Sequence, residues 1–310
     1  VPVEEELSGF SPERDTLLTI GVFDGVHLGH QRLIAELLEQ AARRNLLSGL
    51  VTFRQHPEDL LSSGRKLPFL TDISTRTKLL KEEGVGFVVS LSFTAQLAGL
   101  EARVFLGLLQ KYLKMRGLVI GTDFALGKAR EGDIGTLKKL GREMGFSVTV
   151  VPPLTINGEV VSSTAIRKAL AEGDMARVRG LTGRYYSLYG QVVTGTGRGE
   201  GLGFPTANLN VSAGQAIPPD GVYASLAHIN GKAYQSMTNI GRNPTFGKNE
   251  RTVESYLLDY RGDLYGQELS VDFVDRLRHE KKFANIEELK QQVAEDVRQG
   301  KTILDSSGLN

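Results

Sequence analysis

Gly21-Val22-Phe23-Asp24-Gly25-Val26-His27-Leu28-Gly29-His30 is the stretch on which the fold turns. It overlaps the end of an apolar run, Leu17–Phe23, and leads into a segment with Leu33, Ile34, Leu37, Leu38 and Ala41 on one helical face. A strand, a glycine turn and a helix start in that order present unpaired backbone N–H groups to an anion. Two histidines three positions apart stand at the same helix end, where the dipole disfavours a cation unless something negative is bound. Such a pair is often no more than polar filler in a first turn. Its place at the carboxyl edge of the first strand, where open α/β sheets bind ligands, favours a site.

Outward from this stretch, strand-like and helical segments alternate. Leu50–Phe53, Val85–Leu91, Leu118–Gly121 and Val148–Val151 read as strands. Helical stretches lie near Ile73–Glu83, Ala102–Leu113 and Ile134–Met144, and the short-helical segment Ala165–Leu181 closes the domain. This alternation predicts a parallel sheet covered by helices. Two more places carry the phosphate logic. Ser162-Ser163-Thr164-Ala165-Ile166-Arg167 reads as a helix start with Ser163 or Thr164 as cap and Arg167 in the first turn. Gly121-Thr122-Asp123-Phe124-Ala125-Leu126-Gly127 follows a strand and precedes Lys128 and Arg130. Alone, each is equally consistent with a solvated turn.

Patterning changes after Gly183. Fourteen of the 36 glycines fall between Gly183 and Gly266, so the surplus concentrates there. Tyr186–Val193, Gly221–Ile229, Ala233–Thr238, Val253–Tyr260 and Glu268–Val274 read as short strands of a small antiparallel barrel or sandwich. A last helix is expected from Asn285, with Glu288 completing a capping pair, a buried stripe of Ile286, Leu289, Val293 and Val297, and a stop at Gly300. Gly195, Gly197, Gly199, Gly201 and Gly203 alternate, yet no register gives a dinucleotide fingerprint, and the chain has no P-loop. The rigid run Phe204-Pro205-Thr206-Ala207-Asn208-Leu209 follows, in which Thr206 and Asn208 offer hard neutral oxygens suited to Mg²⁺.

Composition narrows the class. With 37 Lys+Arg against 36 Asp+Glu the net charge is +1, which argues against nucleic acid or an anionic membrane as the main partner. No cysteine is present, so disulfides, Cys-ligated metals and thiol nucleophiles are excluded. No 18-residue apolar run occurs, and Val1–Phe10 carries Glu4, Glu5 and Glu6 where a leader would be basic and then apolar. The expectation is a soluble cytoplasmic protein without an ordinary signal peptide.

His27-Leu28-Gly29-His30 matches the H-x-G-H signature of the nucleotidylyltransferase superfamily. The run Gly21–Gln31, with Thr52-Phe53, His56-Pro57, Gly121-x-Asp123-Phe124 and Ser162-Ser163-Thr164-x-Ile166-Arg167, resembles the adenylyltransferase domain of bacterial bifunctional riboflavin kinase/FAD synthetases. Gly203-Phe204-Pro205-Thr206-Ala207-Asn208 resembles the G-F-P-T-A-N motif of riboflavin kinase. Asn239-Ile240-Gly241-x-x-Pro244-Thr245-Phe246, Val253-Glu254 and Arg276-Leu277-Arg278-x-Glu280-Lys281-Lys282-Phe283 also match that family. The resemblance runs in order from about Leu17 to about Val297. It departs at Gln55, where proline is usual, at Leu126, where Phe or Tyr is usual, and at Val22, where Asn is frequent.

The resemblance implies an α/β nucleotidylyltransferase domain (residues 1–182, a Rossmann-like parallel sheet), then a small antiparallel β-barrel riboflavin kinase domain with a C-terminal helix (residues 183–310). It implies phosphorylation of riboflavin to FMN by ATP, then transfer of AMP from ATP to FMN with release of pyrophosphate. In the transferase, His27, His30 and Arg167 are the implied catalytic residues. Gly21, Phe23, Asp24, Gly25, Asp123, Ser163 and Thr164 are the implied nucleotide contacts. In the kinase, Glu254 is the implied base. The same resemblance implies that Gly195, Gly197, Gly199 and Gly201 form a flap over ATP, that Thr206 and Asn208 organise Mg·ATP, and that Arg278 and Glu280 bind flavin. Period two places Glu254 on one face with Tyr256, Leu258 and Tyr260, which would shelter its carboxylate. Flavins and ATP are the expected partners, with self-association possible. The alternative is an FMN adenylyltransferase whose second domain binds flavin without reacting.

Overall fold

The computed structural model describes residues 2–61, 67–195, 204–242 and 251–308. Gly197, Gly199, Gly201 and the Pro244-Thr245-Phe246 match lie outside them. The chain divides into two compact units, Val1–Ser163 and Thr164–Asn310.

In the first unit α1 (Val3–Ser8), β1 (Thr16–Ile20), α2 (Leu28–Arg43) and β2 (Leu47–Phe53) are followed by α3 (Pro57–Leu61), α4 (Ile73–Glu82) and β3 (Phe87–Leu91). Then come α5 (Ala95–Ala98), α6 (Ala102–Leu113), β4 (Met115–Gly121), α7 (Ile134–Met144), β5 (Ser147–Val151) and a two-stranded hairpin, β6 (Thr155–Ile156) and β7 (Glu159–Val160). The sheet order is β3-β2-β1-β4-β5 with every neighbouring pair parallel. Strand order reverses between β1 and β4, so their carboxyl ends flank the crevice where such sheets bind ligands. β1 is buried at all five positions because helices cover both faces of the sheet. On one face Leu18, Ile20, Leu106 and Leu118 join the main core; on the other Leu17, Leu37 and Val119 pack beneath α2.

The expected strand Leu17–Phe23 stops at Ile20 instead. Gly21 onward belongs to a turn, because Phe23 and Val26 take left-handed φ values that no strand tolerates. The expected single segment Ala165–Leu181 is two helices, α8 (Ser163–Glu172) and α9 (Met175–Thr182), broken where Gly173 turns left-handed and Asp174 caps α9. Ser163 is the first residue of α8 and not its cap.

The second unit continues with β8 (Tyr186–Val193), β9 (Ala207–Val211), β10 (Gly221–Ile229), β11 (Lys232–Arg242), β12 (Arg251–Leu257), β13 (Glu268–His279) and α10 (Ile286–Ser306). The strands close into a barrel in the order β10-β11-β12-β9-β8-β13, all antiparallel, which decides between barrel and sandwich. Closure leaves no exposed edge. Leu188, Tyr223, Val271 and Phe273 are fully or almost fully buried in it. Four buried hydroxyls, on Ser225, Ser236, Thr238 and Ser255, satisfy one another there at 2.7 to 3.0 Å.

β9 had no counterpart among the expected strands. β12 ends at Leu257, because Leu258 N–H bonds to Gln235 O and Asp259 turns left-handed, so only Tyr256 of the three expected residues shares the strand face of Glu254. Asn285 does cap α10, accepting from Glu288 N–H at 2.9 Å. The helix runs through Gly300, however, and Ile286 is 61% exposed. Gly300 is a close-approach residue: a Cβ there would stand 2.2 Å from Met237 Sδ on β11.

Candidate functional site

The turn after β1 is held from four directions. Phe23 (φ 53°), Gly25 (φ 81°) and Val26 (φ 35°) are left-handed, a conformation that costs a bulky or β-branched residue. The Asp24 carboxylate, 2% exposed, accepts from Leu70 N–H at 2.9 Å and Thr71 N–H at 3.0 Å. Gly25 N–H donates to Thr71 Oγ1 at 3.1 Å, and a Cβ on Gly25 would meet Leu70 at 2.8 Å. Ser163 Oγ donates to the Asp24 carbonyl at 2.8 Å. The Val22 carbonyl accepts from Thr52 Oγ1 at 2.9 Å and Arg76 Nη1 at 2.6 Å.

This turn delivers His27 as the N-cap of α2, its Nδ1 accepting from His30 N–H at 3.2 Å. An accepting Nδ1 carries no proton, so the neutral ring keeps its proton on Nε2, a donor. The two imidazoles stack with centroids 3.6 Å apart and planes 16° from parallel, and Phe23 lies 5.0 Å from His30. Gly29 makes the stack possible: a Cβ there would sit 3.1 Å from the His27 ring and from Val161 O. The first turn of α2 holds no acidic residue, so its own side chains leave the positive helix end to an incoming anion.

Gly21 packs under Phe23, where a Cβ would meet its ring at 3.1 Å. Asp123, at the end of β4 across the strand-order reversal, is exposed, and its carbonyl accepts from Arg130 Nη2 at 3.0 Å. Leu126 is a core residue paired with Gly132, so the aromatic missing there is replaced by packing within this unit. Gln55, another departure, accepts from Phe93 N–H at 3.0 Å. Thr164 sits in the first turn of α8 and Arg167 opens its second, one turn later than expected; both are counted with the second unit, Thr164 exposed and Arg167 half-buried.

Sequence reasoning missed Arg76. It lies on α4, 4% exposed, and bridges the carbonyls of Val22 and Phe53. The readable signal is its position four residues before Leu80, where a buried helix stripe calls for an apolar residue.

In the barrel, register aligns the second set. Val193 pairs with Asn208, Asn208 with Glu254, and Glu254 with Asn239, across β8, β9, β12 and β11. Directly paired residues share a face, and here it is the outer one, since Val192, Leu209, Val253 and Ile240 are buried inside. Glu254 and Asn208 are half-buried. Gly195 lies so close to Asn208 that a Cβ would fall 2.1 Å from its Nδ2. Thr206, half-buried, immediately precedes β9, and the chain there is anchored by Phe204, edge-on to Tyr256 at 5.5 Å.

Glu280 approaches the same row: a Cβ on Gly241 would stand 2.7 Å from Glu280 Oε1 and 3.5 Å from Asn239 Nδ2. Arg278 is engaged elsewhere. Its Nε and Nη2 donate to Asp296 on α10 at 2.9 and 2.8 Å, and Gln292 donates to the same carboxylate at 2.9 Å. Among the described residues no group of three His, Cys, Asp or Glu is placed to hold a metal.

The protein is a two-unit one: a parallel sheet with a histidine-capped helix end at its strand-order reversal, followed by a closed barrel bearing an Asn–Glu–Asn row. The family described as FAD synthetase matches residues 10–165, and that described as riboflavin kinase matches residues 182–304. A bifunctional riboflavin kinase/FMN adenylyltransferase from Escherichia coli (strain K12) is 37% identical over 288 residues, 92% of each chain. One from Pseudomonas fluorescens is 35% identical over 94% of each. A crystal structure described as a macrolide-efflux protein from Streptococcus pneumoniae superposes with a TM-score of 0.88 at 30% identity, covering 95% of this chain and 96% of that one. The chain belongs to the bifunctional riboflavin kinase/FMN adenylyltransferase family. Among the described residues no helix is long and apolar enough to cross a membrane.

Proposed function

We propose that the chain phosphorylates riboflavin to FMN and then adenylylates FMN to FAD, with residues 183–310 as the kinase and 1–182 as the transferase. The observation that carries this reading is the cross-strand pairing of Glu254 with Asn208, in a chain that also stacks His27 on His30 at a helix end.

In the kinase step Glu254 takes the proton of the terminal ribityl hydroxyl as that oxygen bonds to the γ-phosphorus, and ADP departs with the electron pair of the broken P–O bond. Glu280, beside Gly241, and Arg278, at the base of α10, form the flavin side. Arg278 acts by fixing the end of β13. Thr206 and Asn208 offer hard neutral oxygens that would hold a Mg²⁺ bound together with the substrate phosphates. Bound with ATP, Mg²⁺ supplies neutralisation of phosphate charge. Gly195, the first of the alternating glycines, lies against Asn208 on the ATP side.

In the transferase step an FMN phosphate oxygen attacks the α-phosphorus of ATP and pyrophosphate leaves. A phosphate monoester is largely ionised at neutral pH, its second pKa being about 6, so no general base is required. The first unit supplies donors and alignment: His27, His30, the turn Gly21–Gly25 ahead of α2, and Ser163, with Asp123 across the crevice; the resemblance adds Thr164 and Arg167 as phosphate contacts. Asp24 serves by locking the turn. Small phosphorylated ligands in place of nucleic acid, a cytoplasmic location and a capacity to self-associate belong to the same proposal, in keeping with a net charge of +1.

The test is incubation of the full chain with riboflavin, ATP and Mg²⁺, separating flavins over time. FMN appears first and FAD follows. Folded protein that forms neither sinks the reading, and FAD formed only from supplied FMN favours the alternative of an inactive second domain.

A further inference from the structure

Arg76 is a buried charge that the transfer chemistry described so far does not use. Its guanidinium lies under the carboxyl ends of β1 and β2, with Nη1 2.6 Å from Val22 O and Nη2 3.0 Å from Phe53 O. Burial pushes its pKa down, opposed by the carboxylates of Asp24 and Asp72, so the ion is matched by charges of its own unit. The Val22–Phe23 peptide is the first of the strained turn, and its carbonyl is pinned twice, by Arg76 and by Thr52. In a trans peptide the carbonyl and the following N–H point in opposite directions. Fixing the Val22 carbonyl inward therefore fixes the Phe23 N–H outward, on the edge away from the guanidinium. A planar fork that spans two carbonyls sets orientation as well as position, which a lysine ammonium does not.

From this geometry we infer that Arg76 is a positioning residue for adenylyl transfer, holding the Phe23 amide as a preset donor to nucleotide phosphate. The inference rests on the transferase reading above. It assigns to the fold a donor that costs no reorganisation when negative charge accumulates at phosphorus.

The test uses the full chain carrying Arg76→Lys or Arg76→Gln, with kcat and KM for FMN-to-FAD conversion measured beside riboflavin phosphorylation and thermal melting. For Arg76→Gln we expect kcat to fall by about 10²-fold, KM for ATP to stay within about 3-fold, and the kinase rate to be retained; Arg76→Lys should be intermediate. A folded Arg76→Gln chain with wild-type kcat overturns the inference. So does a loss of FAD formation that only tracks the folded fraction, since that assigns Arg76 to folding alone. Failure of the unmodified chain to convert FMN would strike the transferase reading instead.

Discussion

Glu254 stands directly opposite Asn208 across the ladder of β12 and β9, so one pair of backbone partners fixes both the proposed base and the proposed magnesium ligand. Replacing Glu254 by Gln keeps shape and register but removes the proton acceptor. We expect riboflavin phosphorylation to fall by about 10² to 10⁴-fold, the range of general-base contributions, while FMN-to-FAD conversion continues. Separate assays of the two half-reactions decide this; an undiminished kinase rate would remove Glu254 from the chemistry.

His30 stacks on His27 without itself capping α2, so His30→Ala removes a donor and leaves the cap in place. FAD formation from FMN should drop by about 10²-fold or more, comparable to losing one oxyanion donor, with riboflavin phosphorylation intact. His27→Ala should additionally lower the melting temperature, because loss of an N-cap costs about 1 kcal/mol. Equal melting of the two variants would contradict the capping role.

Asp296 is almost fully buried and holds Arg278 with both oxygens. Asp296→Ala leaves a largely buried guanidinium unpaired, an event that typically costs 3–5 kcal/mol, roughly, in buried pairs. Denaturant unfolding of the barrel unit should show the loss, and kinase activity should fall with it. Asp296→Asn, which keeps one acceptor, should lie between. A variant as stable as the parent would show that α10 needs no such anchor.

His228 Nε2 meets Asp272 Oδ2 at 2.9 Å, and the same carboxylate accepts from Ser187 Oγ at 2.6 Å. The hydrogen bond to Asp272 raises the His228 pKa, against a smaller lowering by burial. The folded value therefore exceeds the unfolded one. Its contribution to stability is complete below the unfolded pKa, near 6.5, and is lost as pH rises through the folded value. The gap in unfolding midpoint between the parent and His228→Gln should be wider at about pH 5.5 than at about pH 8.5. A gap that does not change with pH would remove the ion pair from the account. Both groups are partly solvated, so the effect is modest.

Much of this architecture is legible in the residues. Ala102–Leu113 and Ile134–Met144 carry clean helical periodicity and form helices over those spans. H-x-G-H announces its helix end, and the structure adds why glycine must stand between the histidines. What escapes is set by tertiary contact. β9 hides behind Pro205 and two asparagines, and pairs only because β8 and β12 flank it. Gly300 looks like a helix stop, whereas it is the point where α10 presses on Met237. Arg76 looks like a solvated cation in Thr75-Arg76-Thr77-Lys78, and its one sequence hint of burial is its place four residues before Leu80.

The bond from Ser163 Oγ to the Asp24 carbonyl joins residues 139 apart in sequence. A chain leaving the ribosome makes the strained turn early and its last tether late. The first turn of the transferase can therefore reach its final form only after nearly the whole unit has emerged, since non-local contacts wait on chain length and loop closure. The turn and its last tether are thus separated by nearly the full length of the first unit.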